Sequence, residues 1–124
     1  MNIIYQPLDN LRTEVSYSYH NGKTNSGLEL TNLHKHLFNA HVNYDTLNEF
    51  QTDVYYYYYS HTATTNAINR IDISLGYPVD KKLLIKLIGQ NLFSGSHIEA
   101  NRDSTISLNT NIEQSLSIQA ILKF

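Results

Sequence analysis

The stretch DVYYYYYSH, residues 53–61, contains five consecutive tyrosines. Side chains of a β-strand point alternately to the two faces of its sheet, so a strand here carries aromatic rings on both faces. A strand of a soluble antiparallel sheet usually turns an apolar face to a core and a polar face to water. The stretch therefore raises the question of which kind of sheet has tyrosine on both sides.

The same alternation with a period of two continues on either side of this stretch. Apolar or aromatic residues occupy every second position in six segments of roughly nine to eleven residues. We expect each segment to form a β-strand, with a further short strand at Ile3–Tyr5, because no segment has a helical period over three turns. The apolar sets are Leu11, Thr13, Val15, Tyr17 and Tyr19; Phe38, Ala40, Val42 and Tyr44; Phe50, Thr52, Val54, Tyr56 and Tyr58; Ile71, Ile73, Leu75 and Tyr77; Leu83, Ile85, Leu87 and Gly89; and Leu116, Ile118, Ala120, Leu122 and Phe124.

Two kinds of connection alternate along the chain. Short turns containing Pro, Asp or Asn are predicted at Gln6–Asn10, Asp45–Asn48 and Pro78–Lys81. Longer polar links are predicted at Asn21–Leu33, Thr62–Asn69 and Ser94–Glu113. An antiparallel meander with its short turns at one end and its long links at the other produces this alternation. We therefore predict an all-β, up-and-down antiparallel meander of six to seven strands over residues 1–124.

Composition narrows the class of protein. The chain has 124 residues, which suits one domain, with 41% hydrophobic and only 16% charged residues. The formal net charge of −2 provides no basic surface for nucleic acid, and zero cysteines exclude disulfides. No apolar run reaches about 18 residues, so we expect no membrane-spanning helix. The first residues lack the pattern of a secretory signal, and we expect any export signal to lie outside this chain.

Strands of this length and pattern are typical of outer-membrane β-barrels. In such a barrel the apolar face contacts lipid, the polar face lines a wet lumen, and short periplasmic turns alternate with long extracellular loops. Tyr56 and Tyr58 would then face lipid near the interface, whereas Tyr55, Tyr57 and Tyr59 would face the lumen. The fold class predicted is a segment of a transmembrane β-barrel in the outer membrane of a Gram-negative cell, with lipid as a partner. Tyrosines of the same outward set also end other strands: Tyr17, Tyr19, Tyr44 and Tyr77.

The C-terminal part of the chain carries a more specific pattern. RIDISLGYPVDKKLLIKLIGQNLFSGSHIEA, residues 70–100, is followed by SLSIQAILKF, residues 115–124. In these residues the chain resembles the C-terminal end of TonB-dependent outer-membrane receptors. The residues that carry the resemblance are Arg70, Asp72, Gly89, Gln90, Asn91 and Phe124.

The resemblance implies a barrel of about 22 strands that encloses an N-terminal plug domain. It also implies uptake of scarce ligands, such as ferric siderophores or cobalamin, with energy relayed by TonB. The implied partners are the remainder of the barrel and the plug, TonB indirectly through that plug, and a small-molecule metal chelate. Because the pattern of a plug, a TonB box and the earlier strands is absent here, we expect a C-terminal fragment that does not transport by itself.

Two other functions fit the same alternation. Six strands cannot close around an interior, for which about eight are needed, so a small barrel or passive pore completed by oligomerisation is one alternative. A soluble all-β binding protein with a tyrosine-rich ligand face is the other. An open sheet has two unpaired edges, and we expect the uncharged aromatic run at 55–59 to be the first site of cross-strand aggregation.

Chemistry at a catalytic site is not indicated. No acid, base and nucleophile occur at a useful spacing, so we expect neither an enzyme nor a bound cofactor. Two pairs of opposite charges lie two residues apart, Arg12 with Glu14 and Arg70 with Asp72. We predict that both form salt bridges on the lumen face.

Six histidines raise the question of a metal or ligand site. His34 and His36 lie two residues apart and could supply half of a metal site, although entry into a strand from a polar loop is the simpler interpretation. No metal site is predicted. Residues beside the expected extracellular links are candidates for contact with a metal chelate: His20, His34, Tyr59, His61 and His97.

Overall fold

A computed structural model describes residues 1–23, 27, 33–46, 50–63, 65–93, 97–100 and 110–122, with 97–100 and 110–112 described by their backbone alone. Over these ranges all regular structure is β-strand. Within the same ranges there is no helix with the length and apolar character needed to cross a membrane.

Seven strands form one antiparallel sheet, in which they lie side by side in the order in which they occur along the chain. This confirms the predicted all-β meander. The seven strands are β1 (Asn2–Leu8), β2 (Leu11–Tyr19), β3 (His36–Asp45), β4 (Gln51–Tyr59), β5 (Ile68–Pro78), β6 (Leu83–Gln90) and β9 (Ser115–Leu122). Between β6 and β9, a separate two-stranded ribbon pairs β7 (His97–Ala100) with β8 (Thr110–Ile112).

The register of the strand pairs places the apolar sets of all strands on one face. Val15 lies opposite Ala40, and Ala40 lies opposite Tyr56. Leu87 lies between Leu75 and Ile118. We call this the apolar face, and it carries Ile3, Tyr5, Val15, Tyr17, Tyr19, Phe38, Ala40, Val42, Tyr44, Val54, Tyr56, Tyr58, Ile71, Ile73, Leu75, Tyr77, Ile85, Leu87, Leu116, Ile118 and Leu122. The polar face carries Arg12, Glu14, Ser16, Asn39, His41, Asn43, Asp53, Tyr55, Tyr57, Tyr59, Arg70, Asp72, Ser74, Lys86 and Gln119.

No second layer covers the apolar face in the described part of the chain. There, Ile68 is the only hydrophobic residue that is buried, at 3% exposure. On the apolar face, Val42 is 36% exposed, Leu87 is 39% exposed and Ile118 is 76% exposed. A soluble sheet normally buries such a face against a helix or a second sheet. Among the described residues, nothing provides such a covering layer.

The connections alternate as the sequence predicts. Short turns at 9–10, 46–50 and 79–82 lie at one end of the sheet, here called the short-turn end. Links at 20–35, 60–67 and 91–114 lie at the other end, here called the long-link end. In the turn after β5, Asp80 Oδ1 accepts hydrogen bonds from the backbone N–H groups of Lys82, at 2.7 Å, and Leu83, at 2.9 Å. A carboxylate that holds a turn in this way fixes where the next strand begins.

The first strand and the last link differ from the prediction. β1 runs to Leu8 instead of ending near Tyr5, so Pro7 lies in a strand and only Asp9 and Asn10 form the turn. A proline is tolerated there because β1 is an edge strand, and its pairing with β2 is irregular between Tyr5 and Leu8. The link predicted at Ser94–Glu113 contains the β7–β8 ribbon. β5 begins at Ile68, within the link predicted at Thr62–Asn69.

The two edge strands, β1 and β9, run in the same direction. With seven strands in an antiparallel sheet, the first and the last both run from the long-link end to the short-turn end. The described residues contain no pairing between β1 and β9, so the sheet is open. The tyrosine run lies in β4, at the centre of the sheet, where both β3 and β5 pair with it. Its backbone is therefore not a free edge of this sheet.

Candidate functional site

The polar face of β3, β4 and β5 carries a connected set of polar and aromatic side chains. His41 Nε2 lies 3.0 Å from Asp53 Oδ1. Asn43 Nδ2 donates to the same oxygen at 3.1 Å. All three residues are half-buried. The Asp53 carboxylate thus has two partners from the neighbouring strand, which fixes the orientation of the His41 ring.

An aromatic row continues from His41 across the polar face. The rings of His41 and Tyr55 stack with centroids 4.1 Å apart and planes 5° apart. Tyr55 and Tyr57 follow, with centroids 6.4 Å apart and planes 7° apart. Arg70 ends the row, with Cζ 5.7 Å from the centre of the Tyr57 ring. Two tyrosines of the run therefore belong to a polar network, which answers why β4 has tyrosine on this face.

A small cavity opens beside this row. It has a volume of about 210 Å³ and lies over β2, β3 and β4. Its polar lining comes from Glu14, Asn39, His41, Tyr55 and Tyr57. These side chains offer carboxylate, amide, imidazole and phenol groups, so the cavity suits a polar side chain or a small polar molecule.

A second network connects β5 to the end of β6. Arg70 Nε donates to Asp72 Oδ1 at 2.8 Å, and Arg70 Nη2 donates to Asp72 Oδ2 at 2.6 Å. The backbone N–H of Asn91 donates to Asp72 Oδ1 at 2.9 Å. Asn91 is fully buried and has a positive φ of 57°. We call Arg70, Asp72 and Asn91 the latch, because they hold the chain leaving β6 against β5.

Close packing at Gly89 supports the latch. A Cβ at Gly89 would lie 2.9 Å from Cδ2 of Leu92, which real Cβ atoms do not approach. The backbone N–H of Leu92 donates to the carbonyl of Ile71 at 3.0 Å. A side chain at this position would therefore require the Leu92 side chain to shift from its place over the end of β6.

The residues that carry the family resemblance are thus largely brought together. Arg70, Asp72 and Asn91 form the latch, and Gly89 lies two residues before Asn91, packed against Leu92. Gln90 is adjacent, and its Oε1 accepts from Ser115 Oγ at 3.3 Å. Phe124 lies outside the described residues.

Both predicted ion pairs are present, but they differ in burial. Arg12 Nη2 lies 3.7 Å from Glu14 Oε2, with the Arg12 side chain 51% exposed. The Arg70–Asp72 pair is bidentate, and the Asp72 side chain is only 12% exposed. Exposed pairs contribute little to stability, whereas a buried pair is costly to break. Breaking the Arg70–Asp72 pair should therefore cost more stability than breaking the Arg12–Glu14 pair.

The predicted ligand-side residues lie at the long-link end. His34 packs its ring on Tyr59, with centroids 5.7 Å apart, and its Nδ1 hydrogen-bonds the carbonyl oxygen of Ser60. The backbone N–H of His20, just after β2, donates to the carbonyl of Lys35 at 2.8 Å. His97 begins β7 and is described by its backbone alone.

A larger cavity of about 440 Å³ opens between two of the long links. Leu33 and His36 line one side, and Ser60, His61 and Thr62 line the other. His61 is exposed. Of the five candidates, His61 therefore lines this cavity, while His34 and Tyr59 line a neighbouring one of about 210 Å³.

His34 and His36 do not form half of a metal site. His34 contacts Tyr59 of the polar face, whereas His36 accepts or donates a hydrogen bond with Tyr17 of the apolar face at 2.8 Å. A bend at Lys35 separates them, so the two rings lie on opposite faces. No group of three or more His, Asp or Glu side chains is arranged to hold a metal ion in the part of the chain that the structure describes.

In comparisons with protein-family models, with curated proteins and with solved structures, no match to this chain was found. The functional interpretation therefore depends on the sheet itself. Its informative features are the uncovered apolar face, the networks of the polar face and the alternation of short and long connections.

Proposed function

We propose that this chain forms the C-terminal arc of the barrel of a TonB-dependent outer-membrane receptor. Such a receptor takes up scarce ligands, such as ferric siderophores or cobalamin, with energy supplied through TonB. The observation that carries the proposal is the apolar face, to which every strand of the sheet contributes and which nothing in the described chain covers. In outer-membrane barrels, lipid covers such a face of the up-and-down antiparallel sheet.

The distribution of tyrosines on the apolar face supports a lipid environment. Tyr17 and Tyr19 lie at the long-link end, and Tyr44 and Tyr77 lie near the short-turn end. Between them the face carries mainly aliphatic residues such as Ile73, together with Tyr5 and Tyr56. Two aromatic belts on either side of an aliphatic band are the pattern of outer-membrane barrel strands, because amphipathic rings favour the two membrane interfaces.

The polar face supports the role of a lumen wall. Its ion pairs, stacked rings and small cavity form a fixed polar surface that a plug domain could contact. The long links lie at one end, which in a barrel is the extracellular side. The 440 Å³ cavity between them, with His61 in its wall, is a candidate contributor to capture of a metal chelate.

The latch gives a physical reason for the residues of the family resemblance. Asp72 is needed because it accepts both the guanidinium of Arg70 and the backbone N–H of Asn91. Gly89 is needed because Leu92 packs where a Cβ would lie. A motif with this structural purpose supports the resemblance more strongly than its letters alone.

A soluble tyrosine-rich binding protein is the less favoured function. A soluble sheet with this apolar face would need a covering layer, and Ile118 and Leu116 are more than two-thirds exposed, at 76% and 72%. A small pore made from several copies is less favoured, because joining β9 of one copy to β1 of the next in the same orientation makes a parallel junction in an otherwise antiparallel sheet.

The coding sequence directly upstream of Met1, read in frame, is the first test. We expect it to encode a signal sequence, a TonB box, a plug and about fifteen further strands, which would complete a barrel of about 22. An in-frame stop codon shortly before Met1, with no signal between them, would contradict an active receptor.

A biochemical test asks whether the apolar face contacts lipid. Produced in a Gram-negative host as part of the longer product that the upstream coding sequence is expected to encode, the chain is expected in the outer-membrane fraction. Leu87→Lys with Ile118→Lys creates a cross-strand lysine pair on the apolar face and should abolish that location. The matched control is Gln119→Lys, which creates the same kind of pair with Lys86 on the polar face and should be tolerated. Equal behaviour of the two variants would contradict the proposal.

A further inference from the structure

We propose that the cavity of about 210 Å³ over β2, β3 and β4, here called the polar-face cavity, is a binding site for a guanidinium group. The site does not rest on the proposed function, and all its residues lie in described strands away from the edges of the sheet. A guanidinium has two sources, an arginine side chain of a segment that covers the polar face or a free organic cation. The experiments below distinguish them.

Sheet register brings the walls of the polar-face cavity together. Two cross-strand rows run from β2 through β3 to β4 and line it: Glu14, His41 and Tyr55 in one row, and Ser16, Asn39 and Tyr57 in the other. Side chains directly opposite each other on one face of an antiparallel pair have Cβ atoms about 4.5–5.5 Å apart. The walls are therefore held by the backbone pairing of three interior strands.

Hydrogen-bond acceptors in the lining favour a ligand that donates. Asn39 Nδ2 donates to Ser16 Oγ at 3.3 Å, whereas Asn39 Oδ1 is buried and has no partner among the described residues. A buried acceptor is costly to leave unsatisfied, and rotation of the amide about its soft terminal torsion would present this oxygen to the cavity. Glu14 Oε1 accepts from Asn2 Nδ2 at 3.1 Å, but Arg12 Nη2 is 3.7 Å from Glu14 Oε2. That separation is longer than a hydrogen bond, so Oε2 can accept from a ligand.

The aromatic wall favours a cation. The faces of Tyr55 and Tyr57 carry negative charge density, on which a planar guanidinium stacks well. Tyr57 already has such a neighbour on its β5 side, where Cζ of Arg70 lies 5.7 Å from the ring centre. Asp72 neutralises that guanidinium, so it repels a second cation only weakly. On its β3 side Tyr57 lies opposite Asn39, where the polar-face cavity opens.

Charge and shape select the class of ligand. Among the described residues that line the cavity, Glu14 supplies a carboxylate, and the one basic side chain, His41, already lies 3.0 Å from the Asp53 carboxylate. An anion is therefore disfavoured. A metal ion would need several oxygen ligands at about 2–2.6 Å, and no such cluster occurs in the described chain. A guanidinium offers five N–H donors to the acceptors and a flat face to the rings.

Two probes of the same shape test the site. Ethylguanidinium and its neutral counterpart ethylurea are titrated separately into the full chain in nonionic detergent micelles, with the β-sheet content checked by circular dichroism. We expect ethylguanidinium to bind roughly tenfold more tightly in calorimetry, because only this probe carries a charge for the carboxylate and the rings. Equal affinities, or no binding of either probe, would overturn the proposal.

Matched variants assign the binding to the polar-face cavity. Glu14→Gln keeps the shape of the side chain, removes its charge and should weaken ethylguanidinium binding about five- to tenfold. Asp9→Asn removes a carboxylate from the turn after β1, outside the cavity, and should leave binding unchanged. Asn39→Asp adds a carboxylate and should tighten binding about fivefold, a gain that stays informative if Glu14→Gln folds poorly. Equal effects of the two charge removals, or weaker binding by Asn39→Asp, would contradict the site.

The source of the guanidinium is tested in the longer product that the upstream coding sequence is expected to encode. This arm alone rests on the proposed function. If an arginine side chain of a covering segment fills the cavity, the longer product should no longer bind ethylguanidinium, and deletion of that segment should restore binding. If the ligand is a free cation, the longer product should bind the probe as tightly as the chain does. Absence of such a product would contradict the proposed function and leave the result for the chain unchanged.

Discussion

The two faces of β5 differ in the contacts that hold their side chains in place. On the apolar face, Ile71, Ile73 and Leu75 have only neighbouring side chains and an uncovered surface around them. On the polar face, Asp72 is 8% exposed. Its two carboxylate oxygens accept hydrogen bonds from Arg70 Nε, Arg70 Nη2 and the backbone N–H of Asn91. The apolar face thus depends on its environment, whereas the polar face depends on specific contacts within the chain. Substitutions on the two faces should therefore fail in different ways.

Removing the carboxylate of the latch should have the largest effect. Asp72→Ala leaves the guanidinium of Arg70 and the backbone N–H of Asn91 without their shared acceptor. We expect a loss of about 3–5 kcal/mol in the free energy of unfolding, because removing one member of a buried ion pair leaves the other charge buried without its counter-charge. Denaturant unfolding in detergent micelles, followed by circular dichroism, measures it.

A double variant separates the charge from the packing in that result. Arg70→Leu combined with Asp72→Leu removes both charges at once and should be less destabilising than Asp72→Ala. A double variant that is as unstable as the single one would mean that the Asn91 N–H, and not the ion pair, determines the effect.

A lysine in the middle of β5 compares the faces directly. Ile73→Lys puts a charge at the centre of the apolar face and should cost about 2–4 kcal/mol when the chain is in lipid. Ser74→Lys, its neighbour on the polar face, should change stability by less than about 0.5 kcal/mol. Unfolding in lipid vesicles gives both values, and a harmless Ile73→Lys would contradict contact of this face with lipid.

Two glycines provide the next comparison. Gly89→Ala brings a Cβ within 2.9 Å of Leu92, and we expect it to destabilise the chain by about 1–3 kcal/mol through overpacking. Gly76→Ala meets its nearest atoms, on Gln51, at 3.4 Å and should be tolerated. Thermal unfolding of both variants checks the difference, and equal melting temperatures would mean that Leu92 moves aside freely.

The smallest expected effect concerns the backbone of Asn91. Its φ of 57° lies in the left-handed region, which glycine and asparagine adopt at a lower energetic cost than alanine does. Both Asn91→Ala and Asn91→Gly remove the amide group of this side chain, and they differ only in the Cβ. The Asn91→Ala protein should be less stable than the Asn91→Gly protein by about 1 kcal/mol. The reverse order would show that the backbone relaxes out of this conformation.

Much of the sheet follows from the sequence because a period of two has few interpretations. A register that keeps the apolar sets together places Val15, Ala40 and Val54 on one face, with Ile73 beside Val54, and this is the register observed. The alternation of short and long connections similarly leaves little choice but a meander. These features depend on the residues of each strand and its adjoining connections, so they can be recognised in the sequence strand by strand.

Other features depend on contacts between strands and could not be predicted. The importance of Asp72 follows only when β6 ends so that the N–H of Asn91 points to it. The opposite directions of His34 and His36 arise from a bend at Lys35 that no pattern marks. Pro7 indicated a turn because proline has no N–H to donate within a sheet and is rare inside strands. It is tolerated here because β1 is an edge strand.

The long link between β6 and β9 has a consequence for the order in which the sheet folds. The β5–β6 hairpin closes over residues 79–82, whereas β9 reaches β6 only after the link 91–114. Closing the longer loop costs about 1.6 kcal/mol more in chain entropy, so hairpin β5–β6 should form first, within microseconds. The β7–β8 ribbon shortens that loop by bringing Ile98 opposite Asn111. We therefore expect the ribbon to speed the pairing of β9 with β6. Without the ribbon, β9 would be the last and slowest strand to join the sheet.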